Sequence, residues 1–219
     1  MSTVSDLTVL DERERLRAQI VRFDRTERIV HWATAALVIT LMLTGAAMYA
    51  GPVSTLVGRR VLMRNVHVIA GLALPIPILV ALVARHAGAA LRADIRELNR
   101  YTRKFNLGQR INASFLAAAG TVLLATGVML KWHDPFSDDL RTGATFVHDW
   151  FAIGVWFAIL GHIAFALRDP TALRGMAKGT VSARWARDTH PRWYRRVIER
   201  SPANPGVDNA SMRRASRSR

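Results

Sequence analysis

The sequence predicts an all-α protein: an integral membrane four-helix bundle with N- and C-terminal extensions in the cytoplasm. Two observations predict it. Hydrophobic residues are half of the 219, and they gather in four blocks of 19–23 residues that contain no Lys or Arg. At about 1.5 Å of rise per residue, a helix of that length crosses the roughly 30 Å of a bilayer's hydrocarbon. The second observation is charge. The segments before block one, between blocks two and three, and after block four hold 26 Lys and Arg, while the two remaining loops hold 5. The positive-inside rule then puts both termini in the cytoplasm of a bacterial inner (cytoplasmic) membrane, with four passes. The alternative, a soluble bundle, requires a polar face on each helix, which these blocks lack.

Taken in order, residues 1–28 form an N-terminal cytoplasmic segment. Its 9–28 stretch, VLDERERLRAQIVRFDRTER, reads as a charged, partly amphipathic helix. This is no short apolar leader with a small-residue cleavage site, so helix one is expected in the mature protein. The membrane domain is 29–167. Helix one is IVHWATAALVITLMLTGAAMYA (29–50). Helix two is VHVIAGLALPIPILVALVA (66–84), where Pro75 and Pro77 predict a kink. Helix three is NASFLAAAGTVLLATGVML (112–130) and helix four covers 145–167. The loops after helices one and three are short and periplasmic. The cytoplasmic loop between helices two and three is predicted part-helical around ALRADIRELNRY (90–101). Residues 168–219 form a cytoplasmic tail whose end, SPANPGVDNASMRRASRSR, has the composition of a disordered segment. No internal repeat stands out.

The net charge of +15 is a topology signal and a lipid-facing surface rather than a nucleic-acid footprint, because no reading motif accompanies it. The absence of cysteine excludes disulfides, Cys-ligated zinc, iron–sulfur clusters and covalently attached c-type haem.

Of seven histidines, His31, His67, His148 and His162 lie in the apolar blocks, where an ionisable group is a functional candidate by default. Depth pairs them. His31, one turn into helix one, and His162, near the end of helix four, share the cytoplasmic level. His67 and His148, each in a first turn, share the periplasmic level. Face agrees, because 14 residues at about 100° each fall some 40° short of four full rotations, so His148 and His162 point the same way about 21 Å apart. Bis-imidazole b-type haem fits two His on facing helices of a bundle core, two such haems in all, held non-covalently. Gly45, Gly71, Gly154 and Gly161 would let a macrocycle approach, and Arg28 and Arg64 would pair its propionates. Single His are often helix–helix hydrogen-bonding groups, and two-His zinc or copper sites without a third ligand are poor. His86, His133 and His190 are expected at the surface. Trp32, Trp132 and Trp150 sit at block ends as interfacial anchors.

With these histidines in place, the chain resembles the gamma subunit of membrane-bound formate dehydrogenase, a di-haem b-type cytochrome. RFDRTERIVHW (22–32), RNVHVIAG (64–71), RKFNLGQR (103–110), the VHDW…GHIAFAL ligand segment and ALRGMAKGTVSARWARDTHPRWYRR (172–196) carry the likeness. It spans about 22–196. The four-His pattern alone is shared with cytochrome b subunits of hydrogenases and thiosulfate reductases. The loop and tail favour formate dehydrogenase. Phe105 stands where that family usually has Tyr, Leu107 where it has Ala, and Thr189 where its tail often has a second His.

The resemblance implies an electron-transfer subunit rather than a complete enzyme. A periplasmic iron–sulfur beta subunit, served by a molybdenum or tungsten catalytic alpha subunit, would reduce the haem at His67/His148. The electron would pass to the haem at His31/His162 and then to quinone at the cytoplasmic face, near Asn106, Gly108, Gln109 and His162. A His-based transporter and a haem-free anchor are readings of another class. The transporter lacks a visible repeat, and the anchor leaves the paired depths unexplained.

Overall fold

A computed structural model of the chain describes residues 18–49, 58–84, Ala89, Arg92 and 104–199. The start of the predicted N-terminal helix, most of the 90–101 stretch, His86 and the tail beyond 199 lie outside the described residues. Among the described residues, four helices are long and apolar enough to cross a membrane: Arg25–Tyr49, Arg60–Val83, Leu107–Lys131 and Asp138–Arg168.

The first, α1 (Arg25–Tyr49), starts earlier than the apolar block because Asp24 and Glu27 build a capping box. The Asp24 N–H donates to Glu27 Oε2 and the Glu27 N–H to Asp24 Oδ1, both at 2.7 Å. The second span is broken into α2 (Arg60–Ala73) and α3 (Ile76–Val83). The break falls at Leu74–Pro75, where proline has no N–H to continue the ladder. α4 (Leu107–Lys131) opens on a capping box of Asn106 and Gln109. α5 (Asp138–Arg168) runs for 31 residues and begins seven residues before the predicted block. Ser137 caps it, and Asp138 and Asp139 complement the dipole of its first turn.

The tail folds back. Asp169 Oδ1 accepts from the N–H groups of Thr171 and Ala172 to start α6 (Pro170–Lys178). Gly179, at φ 91°, ends it. The chain then forms a short strand, β2 (Thr180–Ser182), followed by α7 (Ala183–Thr189) and α8 (Pro191–Glu199). β2 pairs antiparallel with β1 (Gln19–Val21), with Ile20 opposite Val181. The expectation of a helix up to residue 28 is therefore corrected: 19–21 is extended because the tail offers a strand partner, and the helix starts only at Arg25.

Two hairpins make the bundle. α1 lies along α2 and α4 lies along α5, while the hairpins meet through α2 and α4. The seams are built from small residues, with Ala47, Ala70, Ala81, Ala119 and Ala144 all buried. The large apolar side chains point outward: Phe157 is 73% exposed, Leu167 65% and Val80 62%. In water this would be an inverted protein. In lipid, where tails are as apolar as leucine, association rests on close backbone approach, and small residues belong at the seams.

Candidate haem site

The four histidines come together in the two pairs expected. His31 on α1 and His162 on α5 have ring centroids 6.2 Å apart. His67 on α2 and His148 on α5 have theirs 6.3 Å apart. Each pair reaches from one hairpin to the other. Yet α5 packs along α4 and not closely along α1 or α2. The imidazoles face each other across helices that are held apart.

That spacing suits a metal between them. Metal–imidazole bonds of roughly 2.0–2.1 Å on opposite sides of one ion place the ring nitrogens about 4 Å apart and the centroids about 6 Å apart. Among the described residues, no cluster of three or more His, Cys, Asp or Glu gathers to hold a bare metal ion. A haem iron takes only two protein ligands, because its porphyrin supplies the other donors, so a donor set of two neutral imidazoles fits haem b.

A layer behind the His67/His148 pair is not evident from the histidines alone. Thr44 Oγ1 lies 2.9 Å from His67 Nδ1, and Thr126 Oγ1 lies 2.9 Å from His148 Nδ1. Each threonine precedes a glycine. A Cβ on Gly45 would sit 3.5 Å from His67 Cε1, and one on Gly127 3.4 Å from His148 Cε1. The same device occurs in both hairpins: Thr-Gly on the first helix, Val-His on the second, with threonine and histidine 23 and 22 residues apart. A repeat therefore exists where none was expected. It was hidden in an Ala/Leu/Val background, and the two Thr-Gly pairs preceding two Val-His pairs at nearly equal spacing were its only signal.

Three of the four glycines have a described side chain beside them. Gly45 gives room to the His67 imidazole. Gly71 lies against Leu41 and Gly154 against Phe115, whose ring carbon would be 3.2 Å from an added Cβ. Among the described residues, nothing stands within 4 Å of an added Cβ on Gly161. Arg28 is engaged by the tail: its Nη1 donates to Ala177 O at 2.8 Å and its Nε to Asp24 O at 3.3 Å. Arg64 is exposed on α2.

Asn106, Gly108 and Gln109 start α4. Asn106 Oδ1 accepts from the Gln109 N–H at 2.8 Å, and Gln109 Oε1 accepts from the Asn106 N–H at 3.0 Å. Both side-chain oxygens serve the cap, so any bond to a quinone carbonyl would come from the amide nitrogens. The loop just before them is anchored at the base of α1. Lys104 Nζ pairs with Glu27 Oε1 at 2.8 Å, and both side chains are about 90% buried or more. Glu27 is one turn before His31, so this ion pair ties the loop to the root of a ligand helix.

Beside it lies a second buried cluster. Arg22 is buried, its guanidinium carbon 4.5 Å from the Trp185 ring centroid. Its Nη2 donates to Lys104 O and to His190 Nε2, each at 3.3 Å. Trp185 Nε1 donates to Asp169 Oδ2 at 3.1 Å. His190 is thus 7% exposed, against the surface position expected. Burial and the Arg22 charge hold its pKa down to about 4, against a smaller upward pull from Asp169. His133 is exposed as expected and sits 2.9 Å from Asp134.

A family model described as prokaryotic cytochrome b561 matches residues 22–179. The formate dehydrogenase cytochrome b556 subunit of Haemophilus influenzae is 27% identical over 201 residues, which cover 82% of this chain and 84% of that protein. The formate dehydrogenase cytochrome b556(fdo) subunit of Escherichia coli K12 is 27% identical over 200 residues, 83% of this chain and 94% of its own. The nitrate-inducible cytochrome b556(Fdn) subunit of the same organism is 34% identical over 98 residues, 43% of this chain and 45% of that one. The match over most of the chain, with paired histidines in a four-span bundle, shows that this chain belongs to the prokaryotic cytochrome b561 family, a membership that implies haem b.

Proposed function

We propose that this chain is the cytochrome b subunit of a membrane-bound formate dehydrogenase. It takes electrons from a periplasmic iron–sulfur subunit, itself served by a molybdenum or tungsten catalytic subunit, and passes them to quinone at the cytoplasmic face. The observation that carries this reading is the pair of histidine pairs, 6.2 and 6.3 Å between rings, each bridging the two hairpins. The relatives' names supply the complex, and the positive-inside bias supplies the orientation, with both termini cytoplasmic.

Two b haems are assigned, one to His67 and His148 and one to His31 and His162. Haem b supplies reversible one-electron reduction of its iron. The chain's own residues fix where that happens. α5 carries one ligand of each pair, 14 residues and about 21 Å apart, so a single rigid rod sets the separation. Two imidazoles holding each haem would suit it to electron transfer rather than oxygen binding. The Lys104–Glu27 pair holds Asn106, Gly108 and Gln109 at the base of α1, on the His31/His162 side, where a quinone would be met. Domain boundaries follow: 1–28 and 168–219 are cytoplasmic, and 29–167 is the membrane domain.

The test is a pair of substitutions in the assembled complex. His162→Ala is expected to remove one haem and abolish quinol formation from formate. His67→Ala is expected to remove the other haem. Retention of both haems and of activity in either variant would contradict the assignment.

A further inference from the structure

Resting on that reading, we propose that Thr44 and Thr126 are positioning residues. Each holds its histidine as the Nδ1–H tautomer, turns Nε2 to the iron, and thereby lowers the potential of the His67/His148 centre alone.

A threonine hydroxyl has one proton and can donate once. Thr44 Oγ1 lies 2.7 Å from Thr40 O and 2.9 Å from His67 Nδ1. Thr126 Oγ1 lies 2.8 Å from Val122 O and 2.9 Å from His148 Nδ1. A carbonyl oxygen only accepts. If the hydroxyl gave its proton to the imidazole, two oxygens would stand within 2.8 Å with no hydrogen between them. Both contacts are hydrogen bonds only if the hydroxyl donates to the carbonyl and the imidazole donates Nδ1–H to the hydroxyl. The lone pair is then on Nε2, the nitrogen left for a metal. The Cε1 atoms confirm which edge is turned inward: they lie against Gly45 and Gly127, so the Cε1–Nδ1 edge faces the helix that carries the threonine.

The consequence is electronic as well as geometric. An acceptor behind Nδ1–H makes the imidazole a better donor, which favours the ferric state. The chain Nδ1–H to Oγ–H to C=O is repeated on both sides of one site. Among the described residues, no side-chain hydroxyl bonds His31 or His162. The two sites are therefore built with unequal ligand basicity. That inequality would set the His67/His148 centre at the lower potential of the two.

The test uses the full chain loaded with haem, titrated electrochemically and observed by optical and ferric EPR spectra. Thr44→Val and Thr126→Val are expected to raise one of two midpoint potentials, shift one of two low-spin ferric signals, and weaken haem at that site by about 10–100-fold. Thr121→Val is the control. Thr121 Oγ1 also donates to a carbonyl, that of Ala117, but serves no histidine, so neither potential should move. If a valine variant does not assemble, Thr44→Ser and Thr44→Ala separate the effects. A hydrogen-bond role spares the serine variant, whereas a packing role moves both alike. Unchanged potentials and EPR signals in both valine variants, with two haems bound, would overturn this inference and leave the proposed function standing. Absence of haem from the unaltered chain would overturn both.

Discussion

At the residue scale, several polar groups that the fold removes from water have a partner of fixed role. Threonine hydroxyls sit behind two imidazoles, and a carboxylate sits on a buried lysine. His190 shows what such a role implies outside the membrane. Its Nε2 accepts from Arg22, which requires neutral imidazole. Because its pKa in the fold, about 4, is below the ordinary 6.5, the unfolded tail binds the proton more readily. Its contribution to docking the tail is complete above about pH 6.5 and is lost as pH falls toward 4. Hydrogen exchange in 180–190 should therefore quicken as pH drops through that window, after correction for intrinsic rates, and His190→Gln should flatten the dependence. An identical profile in the variant would contradict the assignment. His190 also marks a limit of reading residues singly. Its partner Arg22 is 168 positions away, and a histidine in a basic tail carries no local sign of that contact. The paired histidines were legible because span ends fix depth and the helical period fixes face. Thr44 and Thr126 were not, because a threonine that bonds back to its own helix is an ordinary feature of apolar helices.

At the scale of elements, three stretches far apart in sequence close one end of the bundle. Residues 22–28, 104–106 and 169–190 meet through Arg22, Lys104, Trp185 and Gly179. These stretches overlap 22–32, 103–110 and 172–196, which carry part of the family resemblance. Gly179 is held at φ 91° with its carbonyl accepting from Arg22 and Phe23 at 2.8 and 3.1 Å. A Cβ there would stand 2.8 Å from Phe23 O. Gly179→Ala should loosen the tail by on the order of 2 kcal/mol, seen as faster proteolysis after α5 while haem is retained. Glu27→Ala removes both a capping-box side chain and the partner of Lys104. It should lower stability by about 3 kcal/mol or more, read as a drop in the temperature at which haem is released. An unchanged release temperature would show that the pair is not a structural tie. The α2–α3 break was legible from Pro75. The strand pairing of β1 with β2 was not, since three residues of mixed polarity beside a long helix give no periodic signal.

At the scale of the whole molecule, two hairpins with the same Thr-Gly and Val-His device pack side by side, and their His67 and His148 form a nearly symmetric site. The symmetry stops there. Fourteen residues beyond His148 stands His162, while fourteen beyond His67 stands the buried Ala81. The second site instead draws on His31 of α1. A parallel repeat thus yields one matched histidine pair and one unmatched pair, in unlike surroundings. The four spans and their order were legible from the length and composition of the apolar blocks. The gap between α5 and the first hairpin was not, because it depends on which helices pack closely. That gap, crossed by both histidine pairs, is what the account rests on. The measurement that tests it most directly is a reduced-minus-oxidised spectrum of the purified full chain, with haem quantified per polypeptide. Two b-type haems per chain are expected. A chain produced with ample haem that binds none, or only one, would contradict it.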